Sequence, residues 1–277
     1  MARAATTGTR VIAITGAARG IGMAAATALA ARGAKIAIGD LDRSEAEAAA
    51  ATLAGEAAGF ELDVTDSDSF ARFLDGAEER LGPLDVLVNN AGIMVVGPLE
   101  GAGYRGASKV IDVNVKGVMN GMHLAIPRMR ARGGGHIVNV VSSSAWIAPA
   151  ALSVYSASKH AARGLTDAVR AEVRADGIRV TGVYPGVVQT DLAAGTSAAR
   201  GAKMIPPADV GEAIADAVER PRDEVFVPRS LGPVMRLYQA VPPRARRAFG
   251  RAIGLDSLYT GVDPASRREY EQRIAGD

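Results

Sequence analysis

The sequence of 277 residues contains no cysteine. This absence excludes disulfide bridges and thiolate metal sites, and it is compatible with a reducing compartment. No apolar run reaches the roughly 18 residues that span a membrane, and the first ten residues are too short and too polar for a signal peptide. We therefore expect a cytoplasmic protein.

Aromatic residues are also scarce, at 4% of the chain, and the formal net charge is only +2. Few rings are available to stack on bases, and lysines and arginines are interspersed with acidic residues along most of the chain. These features argue against a nucleic-acid-binding protein. The exception is residues 229–251, which hold six arginines and no acidic residue.

This basic segment is expected to form two short helices separated by Pro242 and Pro243. Its basic and apolar residues could bind a membrane surface, or they could pack on the rest of the protein or on a neighbouring subunit. We favour packing, because each helix is too short for a strong amphipathic face. Residues 266–274 are expected to form at most a charged, solvated helix.

What the chain does have is a regular alternation of short apolar segments with helical ones. The predicted strands are 11–15, 35–40, 59–62, 84–88, 135–141, 178–184 and 224–227. Six helices are predicted between them. Four cover 43–57, 66–81, 104–131 and 207–219; a fifth follows the first strand and ends near residue 32, and the sixth carries Tyr155 and Lys159 and ends near residue 176. The alternation predicts an α/β fold, a Rossmann-like, doubly wound parallel sheet of about seven strands with helices on both faces.

We expect residues 1–277 to form a single domain. Its core covers about 10–228, and a helical extension follows over about 229–277. Polar or glycine-rich stretches begin where predicted strands end, at Gly16, Asp40, Asp63, Asn89, Ser142 and Pro185. Ligands of parallel sheets bind beyond the carboxyl ends of the strands, so these stretches predict one binding site.

The first of these stretches holds Gly16, Gly20 and Gly22 between a buried strand and an alanine-rich helix. Glycines there let the backbone approach a pyrophosphate, and the N–H groups at the start of the helix can bind it. This spacing is not the G-x-G-x-x-G form, and a glycine-rich turn without a ligand also fits it.

Asp40 ends the second predicted strand, 40 − 22 = 18 residues after the last glycine. A carboxylate at this distance can bind ribose hydroxyls and discriminate against a 2′-phosphate. Arg19 could bind such a phosphate, but Leu41 offers no second cation, so we expect NAD rather than NADP. Alternatively, Asp40 caps the next helix, a role that Asp42 or Ser44 could also fill.

Tyr155 and Lys159 stand four residues apart in a predicted helix, and this spacing places them on one face. A phenol with a pKa of about 10 is a poor acid or base at neutral pH. A lysine cation beside it favours the phenolate and lowers that pKa. The pair therefore suits proton transfer to or from an alcohol oxygen, although such a spacing also occurs by chance.

Taken in order, these motifs resemble the short-chain dehydrogenase/reductase family from about residue 10 to residue 227. The similar segments are Thr15–Gly22 (cofactor loop), Asn89–Gly92 (end of the fourth strand), Tyr155-x-x-x-Lys159 (catalytic pair), and Pro185-Gly186 with Thr190 (nicotinamide side). Several motifs in sequence order are far more specific than any one of them.

The resemblance implies that Tyr155 is the general acid/base and that Lys159 lowers its pKa and holds the nicotinamide ribose. The family's serine lies 13 residues before the tyrosine, and 155 − 13 = 142, so Ser142 would polarise the substrate oxygen, with Ser144 as the alternative. Asn114 resembles the asparagine that holds a water in the proton relay; otherwise it is an ordinary buried helical asparagine.

The resemblance also implies the cofactor contacts. They are Gly16, Ala18, Arg19, Gly20, Ile21, Gly22, Asp40, Leu41, Asp63, Val64, Asn90, Ala91, Gly92, Tyr155, Lys159, Pro185, Gly186, Val188 and Thr190. Asn89 more plausibly braces the sheet. No metal is expected, because the three histidines are isolated from carboxylate ligands.

The expected function is hydride transfer between a nicotinamide and a secondary alcohol or ketone, with members of the family commonly forming homodimers or homotetramers. An apolar, bulky substrate is expected from a predicted lid over 191–207 and from pocket residues Met94, Val95, Trp146, Ile147 and Pro149. The alternatives are a non-catalytic NAD(P)-binding regulator and a peripheral membrane protein.

Overall fold

The structure is a computed structural model that describes residues 9–101, 104–196 and 203–252, with 254, 258–260, 262, 267–268 and 270–272. One parallel sheet of seven strands is present, in the order β3-β2-β1-β4-β5-β6-β7. The strands are β1 (Val11–Thr15), β2 (Lys35–Asp40), β3 (Ala57–Glu61), β4 (Val86–Asn89), β5 (Gly135–Val140), β6 (Ile178–Pro185) and β7 (Glu224–Val227). The predicted Rossmann-like sheet is confirmed.

Helices connect successive strands and cover both faces of the sheet. They are α1 (Gly20–Ala31), α2 (Arg43–Ala51), α3 (Ser67–Leu81), α4 (Tyr104–Ile111), α5 (Gly117–Ala131), α6 (Ser153–Glu172), α7 (Pro207–Glu219), α8 (Leu231–Ala240) and α9 (Pro243–Ala252). Within the described ranges, none of these helices is long and apolar enough to cross a bilayer.

The alternation of side chains along each strand builds a core on each face of the sheet. In β1, Ile12 and Ile14 face α1 and α7, while Val11 and Ala13 face the side covered by α3 and α5. Because both faces are buried, the strands are almost continuously apolar. This burial makes the sheet a rigid platform whose carboxyl edge carries the connecting loops.

Two predicted boundaries are wrong. The helix expected over 43–57 ends at Ala51, where the chain turns through Gly55 at φ +85°. The third strand therefore starts at Ala57, pairing with Ile36, rather than at Gly59. Gly59 lies against the backbone of α2 at Ala46, where a Cβ atom would approach to 2.3 Å.

The helix predicted over 104–131 consists of α4 and α5 joined by a π-helical turn, Asp112–Lys116. π turns insert one residue into a helix and occur often at functional sites. This one contains Asn114, whose side chain leaves the helix to bind the loop after β4. The π turn thus places a buried amide beside the loops of the carboxyl edge.

The basic segment packs on the end of the sheet. In α8, Met235 and Leu231 join Trp146, Tyr184 and Phe226 in a buried cluster. Arg236 is ion-paired with Glu224 of β7 at 2.7 Å, whereas the Arg246 guanidinium donates to the Gln239 and Val241 carbonyls of the segment itself. These contacts agree with packing on the protein.

Candidate active site

A cleft of about 900 Å³ lies beyond the carboxyl ends of the strands. It is lined by most of the predicted site residues: Gly16, Arg19, Gly20, Ile21, Asp40, Leu41, Asp63, Val64, Asn90, Ala91, Gly92, Ser142, Tyr155, Lys159, Pro185, Gly186, Val188 and Thr190. Three predicted site residues do not line the cleft but lie behind residues that do: Ala18, Gly22 and Asn114. The clustering of strand-end residues expected from the sequence is therefore present.

The glycine loop is tightly packed under this cleft. Gly16 adopts φ +60°, and a Cβ atom there would lie 2.8 Å from the Cα of Ala91. The Asn90 amide Nδ2 donates to the carbonyls of Thr15 and Gly16, at 2.9 and 2.8 Å. Asn90 thus lines the cleft and also fixes the shape of the loop.

Helix α1 begins at Gly20, directly at the cleft, and no side chain caps its first turn. Its first N–H groups are therefore available to an anion, and the helix dipole favours negative charge there. The glycine loop has no room for a Cβ atom at Gly16, and the start of the helix has no side-chain cap. Together these two features suit the diphosphate of a nicotinamide dinucleotide.

Asp40 stands at the end of β2 with its carboxylate in the cleft. Its Oδ2 accepts from the Ala18 N–H at 3.0 Å, and its Oδ1 accepts from the Leu41 N–H at 2.9 Å. The cap of α2 is Asp42, which accepts from the N–H groups of Ser44 and Glu45. The alternative role of Asp40 as a helix cap is therefore excluded.

Arg19 reaches the same end of the cleft, where its guanidinium is ion-paired with Glu45 of α2. An acidic partner neutralises part of the charge that would attract a phosphate. Asp63, one strand further along, accepts through Oδ1 from both the N–H and the hydroxyl of Thr65. This end of the cleft thus presents two carboxylates held in place by local hydrogen bonds.

Tyr155 and Lys159 lie on one face of α6 at the opposite end of the cleft, with 7% and 4% of their surfaces exposed. The Lys159 Nζ is 5.7 Å from the centre of the Tyr155 ring and donates to the Val140 carbonyl at 3.2 Å. The Ser142 hydroxyl lies close enough to the Tyr155 phenol to lower its pKa. These three side chains form one buried polar group.

The contact with Tyr155 distinguishes between the two candidate serines. Ser142 follows β5 and is the serine that affects the pKa of the phenol, whereas the Ser144 backbone N–H donates to the Ser142 Oγ at 3.1 Å. Ser144 therefore supports Ser142, and the arrangement favours the register in which Ser142 faces the reacting oxygen.

Burial has the largest effect on the titration of this group. It raises the pKa of Tyr155 well above its usual range, and the hydrogen bond from Ser142 acts in the opposite direction. Burial also lowers the pKa of Lys159 to about 8. The expected lowering of the tyrosine pKa by Lys159 is not found in the protein alone: the pKa is raised instead, because a buried phenolate would lose its hydration.

Asn114 is fully buried, and its side chain makes three hydrogen bonds. Its Oδ1 accepts from the Ile93 N–H at 2.9 Å, while Nδ2 donates to the Ile93 carbonyl and to the Ser158 hydroxyl at 2.9 and 3.0 Å. Asn114 therefore holds the loop after β4 against α6. The water-holding role implied by the family resemblance stays a prediction.

Asn89 braces the sheet, as the sequence suggested. Its Nδ2 donates to Asn139 of the neighbouring strand at 2.8 Å, and Asn139 donates to Thr166 of α6 at 2.9 Å. This buried chain of hydrogen bonds connects β4, β5 and the helix that carries Tyr155. It positions α6 against the sheet without reaching the cleft.

Trp146 was expected to line the pocket, and this expectation is wrong. Its ring packs between Tyr184 and Phe226, on the side of α8, with the Arg163 guanidinium 3.4 Å from the ring centre. The chain turns away from the cleft after Ser144 in a short 3₁₀ turn, and Trp146 follows that turn. Of the expected apolar pocket residues, Met94 does line the cleft.

The extension after residue 253 provides two cleft residues that the sequence did not suggest, Tyr259 and Tyr270. The expectation of a solvated helix over 266–274 is also wrong for the described part, because Arg267 is only 1% exposed. The one available signal was composition: two tyrosines in a polar tail of a chain with few aromatic residues.

A family model described as short chain dehydrogenase matches residues 10–201. The chain belongs to this family. A 3-alpha-(or 20-beta)-hydroxysteroid dehydrogenase of Mycobacterium tuberculosis is 37% identical over 183 residues, covering 66% of this chain and 70% of that protein. The probable oxidoreductase EphD of the same organism is 36% identical over 230 residues, covering 82% of this chain but 38% of that longer protein.

Solved short-chain dehydrogenases share the fold. One from Burkholderia phymatum in complex with NAD has a TM-score of 0.76 and 26% identity, covering 83% of this chain and 93% of the other. A 3-ketoacyl-(acyl-carrier-protein) reductase from Brucella melitensis complexed with NADH has a TM-score of 0.74 and 26% identity, covering 81% and 100%. The family, the oxidoreductase class and a nicotinamide cofactor are therefore supported together.

Proposed function

We propose that this short-chain dehydrogenase interconverts a secondary alcohol and a ketone, using NAD in preference to NADP and Tyr155 as general acid/base. The observation that supports this most strongly is the burial of Ser142, Tyr155 and Lys159 together at one end of a cleft whose other end suits a dinucleotide. A protein that only bound the cofactor would have no need for this group.

The residues of the cleft divide into cofactor and substrate contacts. The glycine loop and the start of α1 would hold the diphosphate, Asp40 the adenosine ribose, and Lys159 the nicotinamide ribose. When bound, the nicotinamide supplies or accepts the hydride. The protein contributes position and proton transfer.

Tyr155 carries the proton. In ketone reduction its O–H donates to the substrate oxygen, and the Ser142 hydroxyl donates a hydrogen bond to the same oxygen. In alcohol oxidation Tyr155 accepts the proton as a phenolate, and the Lys159 cation stabilises that phenolate. The buried phenol is protonated at neutral pH, because burial raises its pKa, so the protein alone is ready for reduction.

The preference for NAD rests on Asp40 and Arg19. A 2′-phosphate beside the Asp40 carboxylate would meet like charge, and the Arg19 guanidinium already has Glu45 as its partner. Both observations favour a ribose with free hydroxyls over a phosphorylated one.

The substrate that we propose has an apolar, bulky body. Met94, Leu192 and Tyr259 surround the Tyr155 end of the cleft, and Met94 and Tyr259 belong to one buried cluster with Tyr155 itself. The name of the mycobacterial relative, a hydroxysteroid dehydrogenase, is consistent with a polycyclic alcohol. We also propose a homo-oligomer, since Tyr104, Ile111 and Met119 expose apolar surface on α4 and α5.

Replacement of Tyr155 by phenylalanine tests this function. Tyr155→Phe removes the transferred proton and keeps the ring, so turnover of a secondary alcohol panel with NAD should fall by about 10²- to 10⁴-fold. NADH affinity, measured by fluorescence titration, should stay within about twofold. Tyr104→Phe, at an exposed position, is the matched control and should leave turnover unchanged. Wild-type protein that binds neither NADH nor NADPH would contradict the proposal.

A further inference from the structure

The extension beyond α9 folds back over the substrate end of the cleft. Tyr259 is 8% exposed and packs with Met94, Leu152 and Tyr155 in one buried cluster. Tyr270 lines the same cleft, and its hydroxyl accepts from the Met94 N–H at 2.9 Å. Two rings from the tail thus stand beside the general acid/base.

A single buried arginine attaches this tail to the rest of the site. The Arg267 Nη2 donates to the Met94 carbonyl at 2.9 Å, and Nη1 donates to the carbonyls of Leu192 and Ala194, both at 3.0 Å. Its Nε donates to Glu271 at 3.2 Å, which compensates the charge. A guanidinium can make this set of bonds because its donors form a fixed planar fork.

The carbonyls that Arg267 binds belong to the two loops that flank the reacting group. Met94 lies in the loop after β4, and Leu192 and Ala194 lie in the short 3₁₀ segment after β6. Arg267 therefore joins three separate parts of the chain around Tyr155. A buried guanidinium is costly unless its donors are hydrogen-bonded. The bonds to the Met94, Leu192 and Ala194 carbonyls offset this cost only when the tail is docked on the two loops.

We propose that Tyr259 contacts the substrate and determines its specificity, and that Arg267 positions it through Met94 and Leu192, which Arg267 binds and which pack in the same cluster as Tyr259. The ring of Tyr259 forms a flat apolar wall beside Tyr155, against which the body of a bulky ketone lies. A small ketone would react at Tyr155 without reaching this wall. The proposal rests on the proposed function, because it assigns the substrate end of the same cleft.

Two cyclic ketones of different size test whether the Tyr259 ring contacts the substrate. With saturating NADH, Tyr259→Ala should lower kcat/KM for cyclododecanone by about 10-fold or more, while kcat/KM for cyclopentanone changes by less than about twofold. Tyr259→Phe keeps the ring and should behave as wild type for both. Tyr259→Leu keeps an apolar side chain in the cluster and tests the same wall if the alanine variant does not fold.

Arg267 is tested by its coupling to Tyr259. Arg267→Met should reproduce the selective loss on cyclododecanone, and Arg267→Lys should recover part of it. The double variant with Tyr259→Ala should be no worse than either single variant, because both remove the same wall. Arg268→Met, at the neighbouring exposed position, is the control and should change neither ketone.

Two results would overturn the inference. Equal losses on both ketones would mean that the tail only stabilises the fold, and additive losses in the double variant would mean that Arg267 does not act through Tyr259. A wild-type protein that binds NADH but reduces neither ketone would instead overturn the proposed function, and this inference with it.

Discussion

At the scale of single residues, the reacting group is governed by burial. Tyr155 and Lys159 each lose hydration of their charged form, so the phenol keeps its proton and the lysine, with a pKa of about 8, loses its proton more readily. Among the described residues, the Ser142 hydroxyl acts in the opposite direction and lowers the pKa of Tyr155. In the proposed mechanism, the serine would therefore favour release of the Tyr155 proton as well as orient the substrate.

Charge at Asp40 should decide which dinucleotide binds. In wild-type protein we expect NADH to bind more tightly than NADPH in parallel titrations. Asp40→Asn removes the negative charge but keeps an acceptor for a backbone N–H, so it should tighten NADPH binding by about 10-fold, as expected for one like-charge contact near the surface.

Asp66→Asn is the control for this change. Asp66 caps α3 outside the cleft, and asparagine caps a helix as well as aspartate does, so the same loss of charge should leave both affinities unchanged. If the wild type instead bound NADPH more tightly than NADH, and Asp40→Asn did not change either affinity, Arg19 would be the residue that determines the cofactor preference.

Residues whose placement depends on local geometry could be predicted. Tyr155 and Lys159 share a helix face, and Asp40 ends a strand, so their positions follow from spacing alone. Arg267 could not be predicted, because its partners are backbone carbonyls more than 70 positions away. The direction of the tyrosine pKa was missed for a similar reason: burial depends on the packing of distant segments.

At the scale of elements, the glycine loop and α1 form one closely packed unit. A Cβ atom at Gly22 would lie 2.5 Å from the Gly16 carbonyl oxygen and 2.7 Å from the Ala17 Cα, and backbone atoms cannot move aside as a side chain can. Gly22→Ala should therefore lower the free energy of unfolding by about 1–3 kcal/mol and weaken NADH binding at least 10-fold, because α1 is pushed off the loop. Urea denaturation and fluorescence titration measure the two effects.

The chain offers a matched glycine in a helix without such contacts. Gly164 of α6 is exposed, and nothing lies within 4 Å of a Cβ atom built there. Gly164→Ala should raise the free energy of unfolding by about 0.5–1 kcal/mol, as expected for helix propensity, and leave NADH binding unchanged. Unaltered NADH binding in Gly22→Ala would show that the loop does not hold the cofactor.

Most elements were predictable because apolar periodicity and turn residues are local signals. The π turn at Asp112–Lys116 was not, because the residues there continue the helical pattern without a break. Its cause is tertiary: the Asn114 amide satisfies both backbone groups of Ile93 in the loop after β4. The same holds for the tail, whose helical pattern carries no information on where it docks.

At the scale of the whole molecule, the candidate site lies at the carboxyl edge of the sheet, and the amino ends of the strands lie away from it. His136 lies near the amino end of β5 and is buried. Its Nε2 is 2.8 Å from the Thr181 hydroxyl, and that hydroxyl donates to the Arg222 carbonyl, so it must accept from the imidazole. Nε2 therefore carries a proton, and the ring is neutral because the buried Nδ1 has no hydrogen-bond partner among the described residues that could accept a second proton.

Acid should destabilise the fold through this histidine. Burial, with smaller effects from Arg10 and Arg179, lowers the pKa of His136 from 6.5 to about 4. As the pH falls below 6.5 the unfolded chain binds a proton that the folded protein does not, so the free energy of unfolding should fall by about 2 kcal/mol between pH 7 and pH 4.5. His136→Gln keeps a donor for Thr181 but cannot titrate, so it should lose less of its stability over this range.

Urea denaturation of the wild type and His136→Gln at the two pH values measures this difference. His123→Gln, at an exposed position, should lose as much stability in acid as the wild type. NADH binding at pH 7 should be equal in all three proteins, because the amino end of β5 is remote from the cleft. Identical acid losses in wild type and His136→Gln would assign the acid sensitivity to other groups.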